Sequence, residues 1–370
     1  MTKILTVVGT RPEIIRLSRV IAQLDQTADH VLVHTGQNYD YELNGIFFDG
    51  LGVRRPDHFL AVDTSSLGHV LGETLIKTEA ILRSEKPDGV LVLGDTNSCI
   101  AALMAKRMRI PTYHMEAGNR CFDENVPEET NRRLVDHVAD FNLVYTEHAR
   151  RNLLAEGLHP RRIQLTGSPM NEVLRYHREA IDASDVLHRL DLIPQGYLVV
   201  SAHREENVDR PDRLNKLLDC IETAMRHYSV PVLFSTHPRT RKRLEALGRE
   251  TTNIHFHNPL GFADFVRLQT EALCVLSDSG TISEESSMLG FPAVTLRDSI
   301  ERPEAIDAGA IVMTGLDPDG VVEAIGATLS MAAVGRPDTP REYMITDTSS
   351  RTVKFILSTV RRHREWAGIR

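Results

Sequence analysis

Lys3-Ile4-Leu5-Thr6-Val7-Val8-Gly9-Thr10-Arg11-Pro12-Glu13-Ile14-Ile15-Arg16 decides the fold. Ile4 to Val8 form a short, mostly aliphatic run, strand-length and rich in β-branched side chains. Gly9 ends it, and Thr10 and Pro12 open an amphipathic helix as cap and first-turn residue. A strand without polar alternation that passes straight into a helix is the repeating unit of a parallel sheet covered by helices. The rhythm recurs along the chain, and strands are expected at Lys3–Gly9, His30–Thr35, Gly89–Gly94, Thr112–Met115, Phe141–Tyr145 and Ile163–Thr166. A second set is expected at Tyr197–Ser201, Val232–Ser235, Ile254–His257, Leu273–Ser277, Ala293–Leu296 and Ile311–Met313. The fold class is therefore α/β. At 370 residues the chain exceeds the size at which one core stops growing, so two domains follow. They are expected at 1–168 and 196–347, joined by a connection at 169–195, with a helix at 348–370 packing back on the first domain.

Composition narrows the function classes. Hydrophobic residues at 41% and charged residues at 25% are those of an ordinary soluble protein. With 43 basic against 51 acidic side chains, the net charge of −8 gives no general attraction to nucleic acid or an anionic bilayer. An anionic ligand needs a local basic site. The cysteines Cys99, Cys121, Cys220 and Cys274 form no CxxC pair, the N-terminus lacks a leader pattern, and no apolar run approaches the roughly 18 residues that span a membrane. A cytoplasmic protein is expected.

Ligands of open parallel sheets bind outside the carboxyl ends of the strands, and the polar motifs cluster there. Arg11 and Arg16 lie at the start of the first helix, where free amides and positive charge suit phosphate. No Gly-x-Gly-x-x-Gly follows, which argues against a dinucleotide. Asp95, in Gly94-Asp95-Thr96, ends the third expected strand, either as a helix cap or as a carboxylate facing a cleft. His114-Met115-Glu116-Ala117-Gly118 ends the next. Pro127-Glu128-Glu129-Thr130-Asn131-Arg132 then starts a helix with Glu128 and Arg132 on one face, an ordinary surface pair unless Asp95 and Glu116 join them. Several acids around one centre are what proton transfer at carbon requires.

The second half places His203, with Arg204, and His237 at strand ends. Zinc is disfavoured for these and for His255 and His257, because their spacing follows the fold repeat. Ser279-Gly280-Thr281 begins a helix as a phosphate cradle, and Glu284 and Glu285 lie one turn in, where a carboxylate can take hydrogen bonds from a diol. Arg297 to Glu304 is a charged loop leading into a helix.

Taken in order, Gly-Thr-Arg-Pro-Glu, Gly-Asp-Thr, His-x-Glu-Ala-Gly, Pro-Glu-Glu-x-Asn-Arg, His-Arg-Glu, Asp-Ser-Gly and Glu-Arg-Pro-Glu resemble the non-hydrolysing UDP-N-acetylglucosamine 2-epimerase family from Lys3 to about Gly315. The resemblance implies a GT-B-like fold, two Rossmann-like domains facing a cleft, no cofactor and no metal, a UDP-linked 2-acetamido sugar as partner, and a homodimer. It implies anti elimination of UDP to a 2-acetamidoglycal, then re-addition after protonation of the other C2 face. Asp95, Glu116 and Glu128 fall to proton transfer and the sugar, with the choice of base open, and His203 to the departing phosphate. Arg11 and the Ser279-Gly280 turn fall to the diphosphate, Glu285 to the ribose, Phe265 to the uracil, and Arg132 and Arg302 to anionic or sugar groups.

Two departures point to an altered pocket: Arg16 replaces the lysine of the glucosamine epimerases, and Thr281 replaces a glycine. Thr35 to Asn44 and Asn119 to Asp123 look more like the branch that makes UDP-N-acetyl-L-fucosamine from its talosamine epimer. The Gln37 region departs from the pattern that binds an activating second UDP-sugar, so little substrate activation is expected. A hydrolysing relative and a GT-B glycosyltransferase are the competing readings.

Overall fold

The structure, a computed structural model, describes residues 1–37, 48, 50–335 and 338–369. Asn38 to Asn44, on which part of the fucosamine likeness rests, lie outside the described residues. The chain divides into two compact units, Met1–Tyr176 with Met344–Arg370, and His177–Tyr343.

The first unit holds strands β1 (Lys3–Val8), β2 (Asp29–His34), β3 (His58–Phe59), β4 (Gly89–Leu93), β5 (Thr112–Met115), β6 (Phe141–Val144) and β7 (Ile163–Leu165). All pair in parallel, in the order β3-β2-β1-β4-β5-β6-β7. Helices α1 (Arg11–Thr27), α2 (Leu67–Glu85), α3 (Ala101–Arg107), α4 (Pro127–Val138), α5 (Glu147–Ala155) and α6 (Met170–Tyr176) intervene. β4 is buried along its whole length, as a strand covered on both faces must be.

The second unit repeats the plan with β8 (Leu198–Ser201), β9 (Val232–Ser235), β10 (Ile254–His257), β11 (Cys274–Ser277), β12 (Ala293–Thr295) and β13 (Val312–Met313) in the order β10-β9-β8-β11-β12-β13. Its main helices are α7 (Pro211–Tyr228), α8 (Pro238–Leu247), α9 (Phe262–Glu271), α10 (Ile282–Leu289) and α11 (Pro318–Val334). One core joins Leu198, Val200, Phe234 and Leu276 to Leu217, Ile221 and Ile325 on helices α7 and α11. Burying each such side chain is worth about 1.5–3 kcal/mol.

After the second unit the chain re-enters the first as α12 (Thr348–Thr359), which packs on α1. Gly89 makes room for this return, since a Cβ there would lie 3.2 Å from Val360 and 3.3 Å from Tyr113. Tyr113 stacks on Phe141 at 5.1 Å, Phe355 meets Phe141 edge-on at 5.4 Å, and the Tyr113 hydroxyl lies 2.7 Å from Thr359 Oγ1. Every strand expected from the sequence is present with ends shifted by at most one residue, and β3 is an addition. Among the described residues no helix is long and apolar enough to cross a membrane.

Candidate active site

In each sheet the strand order reverses next to the strand that comes first in its unit. The crevice outside the carboxyl ends of those neighbours is where such folds bind ligands. In the first unit the neighbours are β1 and β4, in the second β8 and β11.

The loops after β1 and β4 are tied together by Glu13, whose side chain is buried. Its carboxylate accepts from the Gly9 amide at 2.5 Å, from Thr10 Oγ1 at 3.2 Å, from Ser98 Oγ at 2.9 Å and 3.0 Å, and from the Thr96 hydroxyl. Burial pushes its pKa up to about 7, against the lowering effect of those donors. Thr10 has the extended backbone of a helix cap, but its hydroxyl donates to Glu13 and accepts from no helix amide, so the expected cap is not made by its side chain.

Asp95 and Glu116 stand at the ends of β4 and β5, and each meets an arginine from a helix. Arg132 of α4 donates to Asp95 Oδ2 from Nε at 3.1 Å and Nη2 at 2.5 Å. Arg16 of α1 donates to Glu116, with side chains only 8% and 6% exposed. Asp95 is not a helix cap, because Thr96 precedes the short helix there. Glu116 adopts φ +64°, a left-handed conformation that costs a non-glycine residue on the order of 1–3 kcal/mol. Such cost concentrates at functional turns. Glu128 is half-buried in the first turn of α4, and Arg11 half-buried in the first turn of α1.

Of the two readings of Glu128 and Arg132, the fold makes Arg132 a partner of Asp95 and not a surface residue. Arg132 is fully buried and bonds Asp95 and, at 2.9 Å, Glu129. Glu129 also bonds Arg133 at 3.0 Å and takes the Cys121 amide at 3.2 Å. Sequence reading passed over Glu129 because adjacent glutamates in a first turn are alike in pattern, and only packing separates them.

In the second unit, Asp278 closes the switch point from the end of β11. Its buried carboxylate accepts the amides of His203 at 3.0 Å and Arg204 at 3.1 Å, and the Asn207 amide group at 3.2 Å. His203 is thereby held at the end of β8 with its side chain 42% exposed. His237 spends Nδ1 on the Arg239 amide at 3.3 Å, capping α8. Ser279 and Thr281 share a hydroxyl contact of 3.0 Å at the start of α10. Phe265 packs half-buried on the apolar cluster beneath α9, and Glu285 accepts from Gln269 at 2.8 Å.

Behind this helix start lies a buried ion cluster. Glu301 accepts from Arg204 at 3.0 Å and Arg297 at 2.5 Å, and Arg302 Nε lies 3.4 Å from Glu284. Gly280 has no room for a side chain, since a Cβ would strike Glu301 and lie 2.8 Å from Arg302 Nη1. Buried ion pairs are poor sources of stability, and this cluster stands directly behind the start of α10. Asp278, Glu301 and Arg297 are functional candidates that the sequence reading did not single out.

Two parallel-sheet α/β units, one carrying paired acids at its switch point and the other a hydroxyl-lined helix start, define a GT-B-like protein. A family model described as UDP-N-acetylglucosamine 2-epimerase matches residues 22–357, and the chain belongs to that family. It is 42% identical to the UDP-N-acetylglucosamine 2-epimerase from Rickettsia bellii, whose structure it matches with TM-score 0.90 and 98% of each chain covered. The Methanocaldococcus jannaschii UDP-GlcNAc 2-epimerase, solved in complex with UDP-GlcNAc and UDP, is 33% identical with TM-score 0.91, covering 96% of this chain and 100% of that one. A Pseudomonas aeruginosa UDP-2,3-diacetamido-2,3-dideoxy-D-glucuronate 2-epimerase is 35% identical over 88% of this chain and 92% of its own.

Proposed function

We propose that the chain interconverts UDP-N-acetylglucosamine and UDP-N-acetylmannosamine without hydrolysis. The observation that carries this reading is the arrangement of Asp95 and Glu116, each held by a buried-side arginine at the end of a neighbouring strand, in a member of this family. The M. jannaschii relative was solved with UDP-GlcNAc and UDP, which supports a UDP-sugar as ligand here.

In this reading the second unit binds UDP, with Ser279, Gly280 and Thr281 on the diphosphate, Glu285 on the ribose, Phe265 beside the uracil, and His203 and Arg302 near the departing phosphate. His237, which caps α8, is assigned to UDP binding, and Arg11 adds positive charge for the diphosphate. The first unit supplies Asp95, Glu116 and Glu128 to move protons at C2. Loss of the C2 proton and of UDP from C1 gives a 2-acetamidoglycal. Protonation of the opposite face and return of UDP to C1 give the epimer, with atoms and charge balanced and no oxidant consumed. Arg16 and Arg132 fix the carboxylates so that donors and acceptors are in place before reaction. A homodimer in the cytoplasm is the expected setting.

The test is proton NMR of the purified protein with UDP-N-acetylglucosamine in D₂O. Deuterium entering C2 while UDP-N-acetylmannosamine appears supports the proposal. Free N-acetylmannosamine plus UDP would indicate a hydrolase, and an inert sample that turns over UDP-2-acetamido-2,6-dideoxy-L-talose would move the assignment to the 6-deoxy-L series. That second reading draws on Asn119 to Asp123, where Phe122 is 73% exposed.

A further inference from the structure

Glu116 sits in a turn that a free peptide would not hold, and one buried carboxylate encloses that turn on both sides. Asp136, on α4 and fully buried, accepts the Gly118 amide on both oxygens at 3.2 Å and 3.1 Å. The same carboxylate accepts Arg120 Nη1 at 2.7 Å and lies 2.9 Å from His114 Nδ1. Residues 114, 118 and 120 bracket Glu116, so the chain is pinned just before and just after it.

The other nitrogen of His114 extends the arrangement to the neighbouring strand. Nε2 lies 2.7 Å from the carbonyl of Gly94, which can only accept, so the proton on that nitrogen points at the residue preceding Asp95. The Gly94 amide in turn donates to Met115 at 3.0 Å, immediately before Glu116. The turns carrying Asp95 and Glu116 are thus cross-linked, with Asp136 at the root. The Glu116 turn has no slack toward α5, because Gly118 (φ +81°) packs against the Ala149 carbonyl so closely that a Cβ would collide with it.

We infer that Asp136 is the positioning residue for the two strand-end acids, holding Glu116 in its left-handed conformation and setting it relative to Asp95. One turn earlier on α4, Arg132 grips Asp95 directly. A single helix therefore fixes both acids, one by direct contact and one through the backbone that carries it. Asp136 touches no substrate and transfers no proton in this role, which rests on the epimerase reading above.

Asp136→Asn keeps the size of the side chain and removes its charge, leaving an amide that cannot accept from Gly118 and Arg120 as the carboxylate does while keeping its contact with His114. A shift of about 1 Å in a reacting group can cost on the order of 100-fold. The expected result is a kcat about 100-fold lower in C2 epimerisation of UDP-N-acetylglucosamine, with KM and UDP affinity by titration calorimetry within about threefold of the parent. The crystal structure of the variant should show Glu116 leaving the left-handed region. Glu156→Gln, which loosens the outer bond of Arg120 at 2.7–2.8 Å, should leave kcat within about threefold. If Asp136→Asn does not fold, His114→Gln tests the same link, with the same split between kcat and UDP affinity expected.

An Asp136→Asn or His114→Gln variant with near-parental kcat overturns the inference. So does a lost kcat with Glu116 unmoved, or an equal loss in Glu156→Gln. A parent protein inert toward UDP-N-acetylglucosamine sinks the functional reading instead, and the variant's Glu116 conformation then decides the positioning role by itself.

Discussion

A carboxyl group shut away from water holds its proton more tightly, and at Glu13 burial outweighs four hydrogen-bond donors. Its value of about 7 lies above the ordinary 4.5, so the native state keeps a proton that the unfolded chain has already lost. The stability this group contributes is complete below pH 4.5 and disappears as pH rises through 7, a change on the order of 3 kcal/mol. Glu13→Gln is uncharged throughout, so its melting temperature should fall less than the parent's between pH 5 and 8. Parallel melting profiles in a pH series would refute the assignment. For the strand-end acids, Asp95→Asn, Glu116→Gln and Glu128→Gln should each lower turnover by about 10²–10⁴-fold while UDP binding persists. Near-parental rates in all three would remove the acids from the mechanism. Asp95 and Glu116 were legible in the sequence because each follows an apolar run, and Glu128 because Pro127 opens its helix. Glu13 and Asp136 were not, since an acid within a helical pattern reads as solvated, and only the packing of other strands and loops against it reveals burial.

At the scale of elements, the strands were visible because each is a short apolar run closed by a polar turn, and β3 was missed because two residues carry no periodicity. The docking of α12 rests on contacts across more than 200 positions, such as Tyr113 with Thr359, that local pattern does not encode. Ile356 is fully buried in that contact. Ile356→Ala should destabilise the first unit by about 2–5 kcal/mol. The chain's single tryptophan, Trp366, belongs to this unit and lies with its ring 5.2 Å from the Arg161 guanidinium carbon, so its fluorescence follows the unfolding of α12's surroundings. A denaturation midpoint unchanged by Ile356→Ala would show that α12 adds little to the fold.

For the whole molecule, the division of labour between units makes a claim about where UDP acts. The second unit offers a helix start with hydroxyls, a backing ion cluster and an exposed histidine at its switch point, whereas the strand-end acids of the first are already held by arginines. A ligand that binds only the folded form stabilises it by about 2.7 kcal/mol at 100 times its Kd. UDP alone should therefore raise the calorimetric transition of the chain, and hydrogen exchange should slow first at Ser201 to Asn207 and Ser277 to Glu285. Adding the 2-acetamido sugar to the nucleotide should protect the turns at Asp95 and Glu116, because in the proposed reaction the sugar carries the carbon on which those acids act. If UDP by itself protected the Glu116 turn and left the start of α10 exchanging as before, the nucleotide would belong to the first unit. The acids there would then need a different substrate group to act upon.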